Sequence, residues 1–166
     1  MYVLENNFKK KRLTPQQALE KLRSYCAYQE RCHTEVRTKI LSLGVWGSDL
    51  EEIIATLVQE DFLNEERFAK LYAGSKFRVK HWGKIRIQQE LKLRHISDYC
   101  LKKAMLEIDE VSYLAKIDWL LKKQWKEVAD YSDFERKQRT VQHVIRKGYE
   151  PNLVWEMFEA IKADLE

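Results

Sequence analysis

A chain of 166 residues with 45% hydrophobic and 34% charged side chains is long enough to bury a sizeable core and too rich in aliphatic and aromatic residues to stay disordered. Five Gly and two Pro leave little room for hairpins, and no apolar run approaches the roughly 18 residues of a membrane span. The net charge of +4 is modest, which excludes a uniformly basic protein and makes its distribution along the chain the informative quantity.

The first 13 residues are polar and end in Lys9-Lys10-Lys11-Arg12, which reads as a mobile basic arm (residues 1–13) without the apolar core of a secretory signal. A cytoplasmic protein is expected, and the odd, unpatterned set Cys26, Cys32 and Cys100 suits a reducing compartment. Thr14-Pro15-Gln16-Gln17 supplies an N-cap hydroxyl, a proline at the first helical position and a Gln three residues on, the signature of a helix start. The buried face of that helix is expected at Ala18, Leu19, Leu22, Tyr25 and Cys26. A second helix carries Val36, Ile40 and Leu43 and stops at Gly44. Ser48-Asp49-Leu50-Glu51 caps a third, which should bury Leu50, Ile53, Ile54, Leu57 and Val58, and Asn64 caps the next. There Phe68, Leu71, Tyr72 and Ser75 recur at helical spacing, followed by Ile87 and Leu91 and then by Leu101, Ala104, Met105 and Ile108.

These segments repeat. Ile40, Val45, Leu50 and Leu57 fall 51 positions before Leu91, Ile96, Leu101 and Ile108. A shift of 53 then places Leu91 on Val144, His95 on Gly148, Ile96 on Tyr149 and Ile108 on Ile161. Leu114, Ile117, Leu121 and Val128 supply the first helix of the third copy, Ser132-Asp133-Phe134-Glu135 caps its second, and Pro151 precedes its third, with Leu153, Val154, Met157, Phe158 and Ile161. The expected fold is all-α: three tandem three-helix repeats at residues 14–63, 64–108 and 109–166, forming an elongated, curved array.

Charge singles out the middle repeat. Between residues 76 and 103 nine Lys or Arg face only Glu90 and Asp98, a local charge of +7, while residues 1–63 and 64–75 are neutral and 104–166 carry −3. Lys76, Arg78, Lys80, Lys84, Arg86, Lys92 and Arg94 are the candidate binding face, because like charges this dense repel one another unless an anionic partner neutralises them. A solvated surface is the bland alternative. His81-Trp82-Gly83 lies between the first two helices of this repeat, where Trp82 can fill the angle between helices and Gly83 can take the turn while the triple also aims the basic helix. Five scattered glycines build neither G-x-x-x-x-G-K-[ST] nor G-x-G-x-x-G, so no nucleotide hydrolysis, no enzyme activity and no cofactor are expected. Cys26, Cys32 and His33 lack zinc-site spacing, so no metal is expected either. His81 and His95 have no paired carboxylate to make a general base and suit a structural or phosphate-contacting role. A stand-alone DNA-binding protein of helix-turn-helix type is the rival reading, since LGVWGSDL joins two helices by a short turn. Against it, the helix that would enter the groove, LEEIIATLVQE, is acidic.

The run Phe62-Leu63-Asn64-Glu65-Glu66-Arg67-Phe68-Ala69, followed by Trp82-Gly83, Ile85, Gln89-Glu90-Leu91 and Ile96, resembles the central repeat of the RecX family, bacterial regulators of the RecA recombinase. Leu43-Gly44-Val45 and Arg146-Lys147-Gly148-Tyr149 resemble helix ends in that family's outer repeats, and the resemblance spans about residues 14–165. His81 stands where many members have glycine. The resemblance implies a regulator, usually an inhibitor, that lies along the groove of the RecA filament on single-stranded DNA and hinders ATP hydrolysis, strand exchange and co-protease activity. It implies RecA as the protein partner and single-stranded DNA bound weakly or within the filament; the lack of a long apolar run gives the expectation of no membrane, and a monomer is expected.

Overall fold

The computed structural model describes residues 12–165, and among them every regular element is a helix. In order these are α1 (Pro15–Tyr28), α2 (His33–Ser42), α3 (Ser48–Gln59), α4 (Glu65–Lys80), α5 (Lys84–Leu93), α6 (Asp98–Met105), α7 (Glu110–Glu127), α8 (Asp133–Arg146) and α9 (Pro151–Leu165). They group into two compact units, one ending at Phe68 and the other beginning at Ala69, inside α4. None of the described helices is long and apolar enough to cross a membrane.

In the first unit α1, α2 and α3 pack on one another. The Thr14 hydroxyl accepts from the Gln17 N–H while the Gln17 side chain accepts from the Thr14 N–H, completing the expected capping box. Ala18, Leu22, Cys26, Val36, Ile40, Leu57 and Leu63 close the core, with Leu19 and Tyr25 packed at its edge. Two expectations shift. Gly47, at φ +65°, is the N-cap of α3, so Ser48 is its first helical residue; and Val58 is 47% exposed, because it lies past the stripe formed by Leu50, Ile53, Ile54 and Leu57. Residues 1–11 of the expected arm lie outside the described residues. Arg12 and Leu13 make contacts with the first unit: the Arg12 guanidinium sits 3.4 Å over the Trp46 ring and donates to Gly44 O, and the Leu13 N–H donates to Leu43 O.

The repeat is written in the backbone. Gly44, His95 and Gly148, which the sequence aligns on one another, all take left-handed φ (82°, 57° and 97°). After two of them the chain makes the same closing bond, Val45 N–H to Ile40 O and Ile96 N–H to Leu91 O. Each helix therefore ends with its last carbonyls satisfied, and the next residue (Val45, Ile96 or Tyr149) turns into the core. Asn64 caps α4 as expected, its side-chain oxygen accepting from the Arg67 N–H.

In α4 the expected stripe holds in part: Phe68 is buried and Tyr72 half-buried, but the stripe turns toward a neighbouring face. Leu71 is 52% exposed and Ser75 faces solvent, whereas Ala69, Ala73 and Phe77 are buried at i, i+4, i+8. Small residues there allow close approach, and their weak apolar signal hides the face in the sequence. The start of α5 is clamped to the end of α8: Gly83 N–H donates to Lys147 O at 2.9 Å and Ile85 N–H to Gly148 O at 3.0 Å. Gly83 has an ordinary φ of −79°, and it is His81, at φ +56°, that takes the left-handed turn. Tyr113 is buried beneath this joint; its hydroxyl accepts from the Lys84 N–H and donates to Glu150 Oε2, and burial followed by that carboxylate pushes the phenol far above its usual range.

Candidate functional site

The seven candidate cations all fall on the C-terminal half of α4 and on α5 with its C-cap, but they divide by environment. Arg78, Lys80 and Lys92 are exposed. Lys76, Lys84, Arg86 and Arg94 are half-buried, each laid against a ring. Lys76 Nζ lies 5.1 Å from the centres of both Tyr72 and Trp82, the Arg86 guanidinium 4.1 Å from Trp82, the Arg94 guanidinium 4.8 Å from Tyr72, and Lys84 Nζ 4.5 Å from Tyr113. Arg94, Tyr72, Lys76, Trp82 and Arg86 are thus linked in series, cation to ring to cation. Ring faces carry negative charge density, which holds the cations in place without cancelling their charge. Among the described residues Arg94 alone of the seven shows a close acidic partner, Glu90 Oε2 at 2.7 Å, one turn away along the chain.

This arrangement has two consequences. The +7 of the segment is presented on rigid helices rather than on a loop, so an anionic surface can meet it without an ordering cost. The cations over rings also have less freedom than the exposed ones, so replacing Lys84 or Arg86 disturbs packing as well as charge. Trp82, in the turn between α4 and α5, is the plate on which Lys76 and Arg86 lie. Tyr72 was read only as part of a buried stripe; its spacing from Lys76 (i, i+4) was the available signal for its second role.

Further cations lie on α7 and α8, within a third repeat whose acidic sum masks them in the sequence. Lys116 and Lys123 flank Trp119 on one face of α7, both ammonium groups 5.2 Å from its ring centre, and the His81 ring lies 5.0 Å from the same indole. His143 and Lys147 sit four residues apart at the end of α8. Cys26, Cys32 and Cys100 are buried free thiols, and burial raises the pKa of Cys26 and Cys32 above the usual thiol value. No group of three His, Cys, Asp or Glu among the described residues could hold a metal ion.

Fold and face define an all-helical protein of three-helix domains with a concentrated cationic surface on its central helices. Two family models match the chain and together span more than half of it: the second three-helix domain of RecX over residues 64–105 and the third over residues 113–158. The chain belongs to the RecX family. Among curated proteins it is similar to the regulatory protein RecX of Bacillus cereus, 22% identical over 139 residues that make up 84% of this chain and 52% of that one. The regulatory protein RecX of Bacillus cytotoxicus is 23% identical over 141 residues, 85% of this chain and 52% of the relative. The chain therefore spans about half the length of the curated relatives it matches. Among solved structures, RecX from Lactobacillus salivarius superposes with a TM-score of 0.80 at 20% identity, covering 90% of this chain and 97% of that one. A second crystal structure, of a regulatory protein RecX, gives 0.79 at 18% identity over 90% of this chain and 73% of the other.

Proposed function

We propose that the chain regulates a RecA recombinase by lying along the groove of the RecA filament on single-stranded DNA, most simply as an inhibitor of ATP hydrolysis, strand exchange and co-protease activity. The observation that carries this reading is the cationic, ring-backed face of α4 and α5, which falls within the segment matching the RecX second domain. A filament groove is long, anionic where DNA is exposed, and built from repeated protomers. Three-helix repeats in tandem along the sequence (14–63, 64–108 and 109–166) suit a partner that is itself repetitive, and the basic face supplies long-range attraction that speeds encounter. Contacts to many protomers add affinity that charge alone does not, so binding should favour the filament over the bare strand.

Co-sedimentation tests this reading. The chain should pellet with RecA filaments assembled on single-stranded DNA at concentrations roughly tenfold below those at which it associates with the same DNA alone. Raising salt should release it from bare DNA first, because that association rests on counterion release. Equal affinity for filament and bare strand, or tight sequence-selective binding to duplex DNA, contradicts the proposal.

A further inference from the structure

Beside the α4–α5 turn lies a cleft of about 130 Å³, bounded by His81, Trp119, Lys123, Glu127, His143 and Lys147. It collects three elements of the second unit: the turn itself, α7, and the end of α8. His81 is fixed there by its left-handed backbone, by the Tyr149 hydroxyl donating to its carbonyl at 3.3 Å, and by its ring contact with Trp119. Its Nδ1 is buried and has no hydrogen-bond partner among the described residues. Just past α8, Lys147 O accepts from the Gly83 N–H and Gly148 O from the Ile85 N–H, which holds the turn against the end of α8.

We propose that this cleft is a site for one phosphate-class oxyanion, held by the Lys147 and Lys123 ammonium groups and the imidazoles of His81 and His143. The electrostatics agree. His81 is held below the ordinary histidine value of 6.5 by burial and then by Lys116, Lys147 and Lys123. His143 is lowered by burial and then by Lys147, with Arg146 and Lys123 acting the same way and Glu127 opposing them. Lys147 is itself lowered by burial and then by Lys123 and Arg86, again opposed by Glu127. Four positive or protonatable groups thus converge on a small volume against a single carboxylate, Glu127, which lies 3.9 Å from Lys123 with both side chains more than half exposed. An anion relieves that repulsion. The site stands without the RecA reading, because a free phosphate and a phosphate of a nucleic-acid strand share the required chemistry.

The sign of the pH dependence follows. A histidine whose folded pKa lies below its unfolded value binds fewer protons when folded, so stability falls as pH drops below about 6.5 and is regained above it. A bound oxyanion favours the protonated rings, so it should blunt this fall and should bind more tightly as pH is lowered through the same range. The test is a titration of the isolated chain with inorganic phosphate, and separately with an unphosphorylated oligothymidylate, following the histidine ring resonances by NMR at constant ionic strength held with chloride. With inorganic phosphate, His81 and His143 should move and titrate at higher pH while His33 and His95 stay in place. Movement of His81 and His143 with the oligonucleotide alone would identify the strand as the source. Lys147→Ala should weaken phosphate binding by tenfold or more. His81→Gly, which suits the left-handed backbone and so preserves the fold, should remove the response of His143. Unmoved His81 and His143 with both ligands, or undiminished binding in both variants, overturns the proposal.

Discussion

Gly83→Ala is expected to destabilise the second unit by about 3 kcal/mol, the upper range for forcing an extra carbon into a packed site. A Cβ at position 83 would lie 2.2 Å from Gly148 O, 2.3 Å from Gly148 C and 2.4 Å from Tyr149 N, and none of these backbone atoms can swing aside as a side-chain tip can. Relief requires separating α5 from the end of α8, which breaks the Gly83–Lys147 and Ile85–Gly148 bonds and strains the Tyr113 and Tyr149 contacts beneath. Gly74 in α4 is the contrasting case: the atoms nearest a Cβ there belong to the Arg78 guanidinium, the far end of a flexible side chain, and alanine is the better helix former by about 1 kcal/mol. Urea denaturation should show Gly83→Ala with a strongly lowered midpoint and Gly74→Ala unchanged or raised. Equal midpoints for Gly83→Ala and the parent would refute the clamp between α5 and α8.

Replacing Arg78, Lys80 and Lys92 together by Glu is expected to weaken filament binding by roughly tenfold to a hundredfold while leaving the thermal midpoint nearly unchanged. These three are the exposed members of the candidate face, so they contribute little to folding. Attraction to an anionic groove becomes repulsion, and like-charge contacts at an interface are costly. Lys84 and Arg86 would be poorer choices: Lys84 lies over Tyr113, and Arg86 lies over Trp82 with its Cβ against Gly148. Their reversal would loosen the second unit and confound affinity with stability. Unaltered binding by a variant that melts like the parent would place the interaction elsewhere on the molecule.

Much of the fold could be read from the chain because helix punctuation is local chemistry. Thr14 with Gln17, Asn64 before α4 and the aligned Gly44, His95 and Gly148 each declare an end or a beginning within a few residues. The face of α4 was harder to read, since Ala69 and Ala73 bury little area yet decide which side packs, while Leu71 looks apolar and stays outside. Gly83 misled for a related reason. A glycine beside a helix end suggests a turn, but here it is required by the approach of a backbone 65 residues further on, and the turn itself falls to His81. The cationic face was visible as a charge count, whereas its division into exposed and ring-bound members depends on where Tyr72, Trp82 and Tyr113 lie in space. The cleft was hidden altogether, because His81, Lys123 and Lys147 belong to three elements and the acidic sum of the last repeat masks the two lysines.

The central claim, regulation of RecA through the filament, is tested most directly by RecA ATP hydrolysis on single-stranded DNA, titrated with this chain and with the Arg78, Lys80, Lys92 charge-reversal variant. The parent should suppress turnover of its cognate RecA at concentrations below those at which it binds the bare strand, and the variant should need at least about tenfold more protein for the same suppression. Suppression that appears only when the chain saturates bare DNA, or a RecA rate that the parent leaves unchanged, would contradict it.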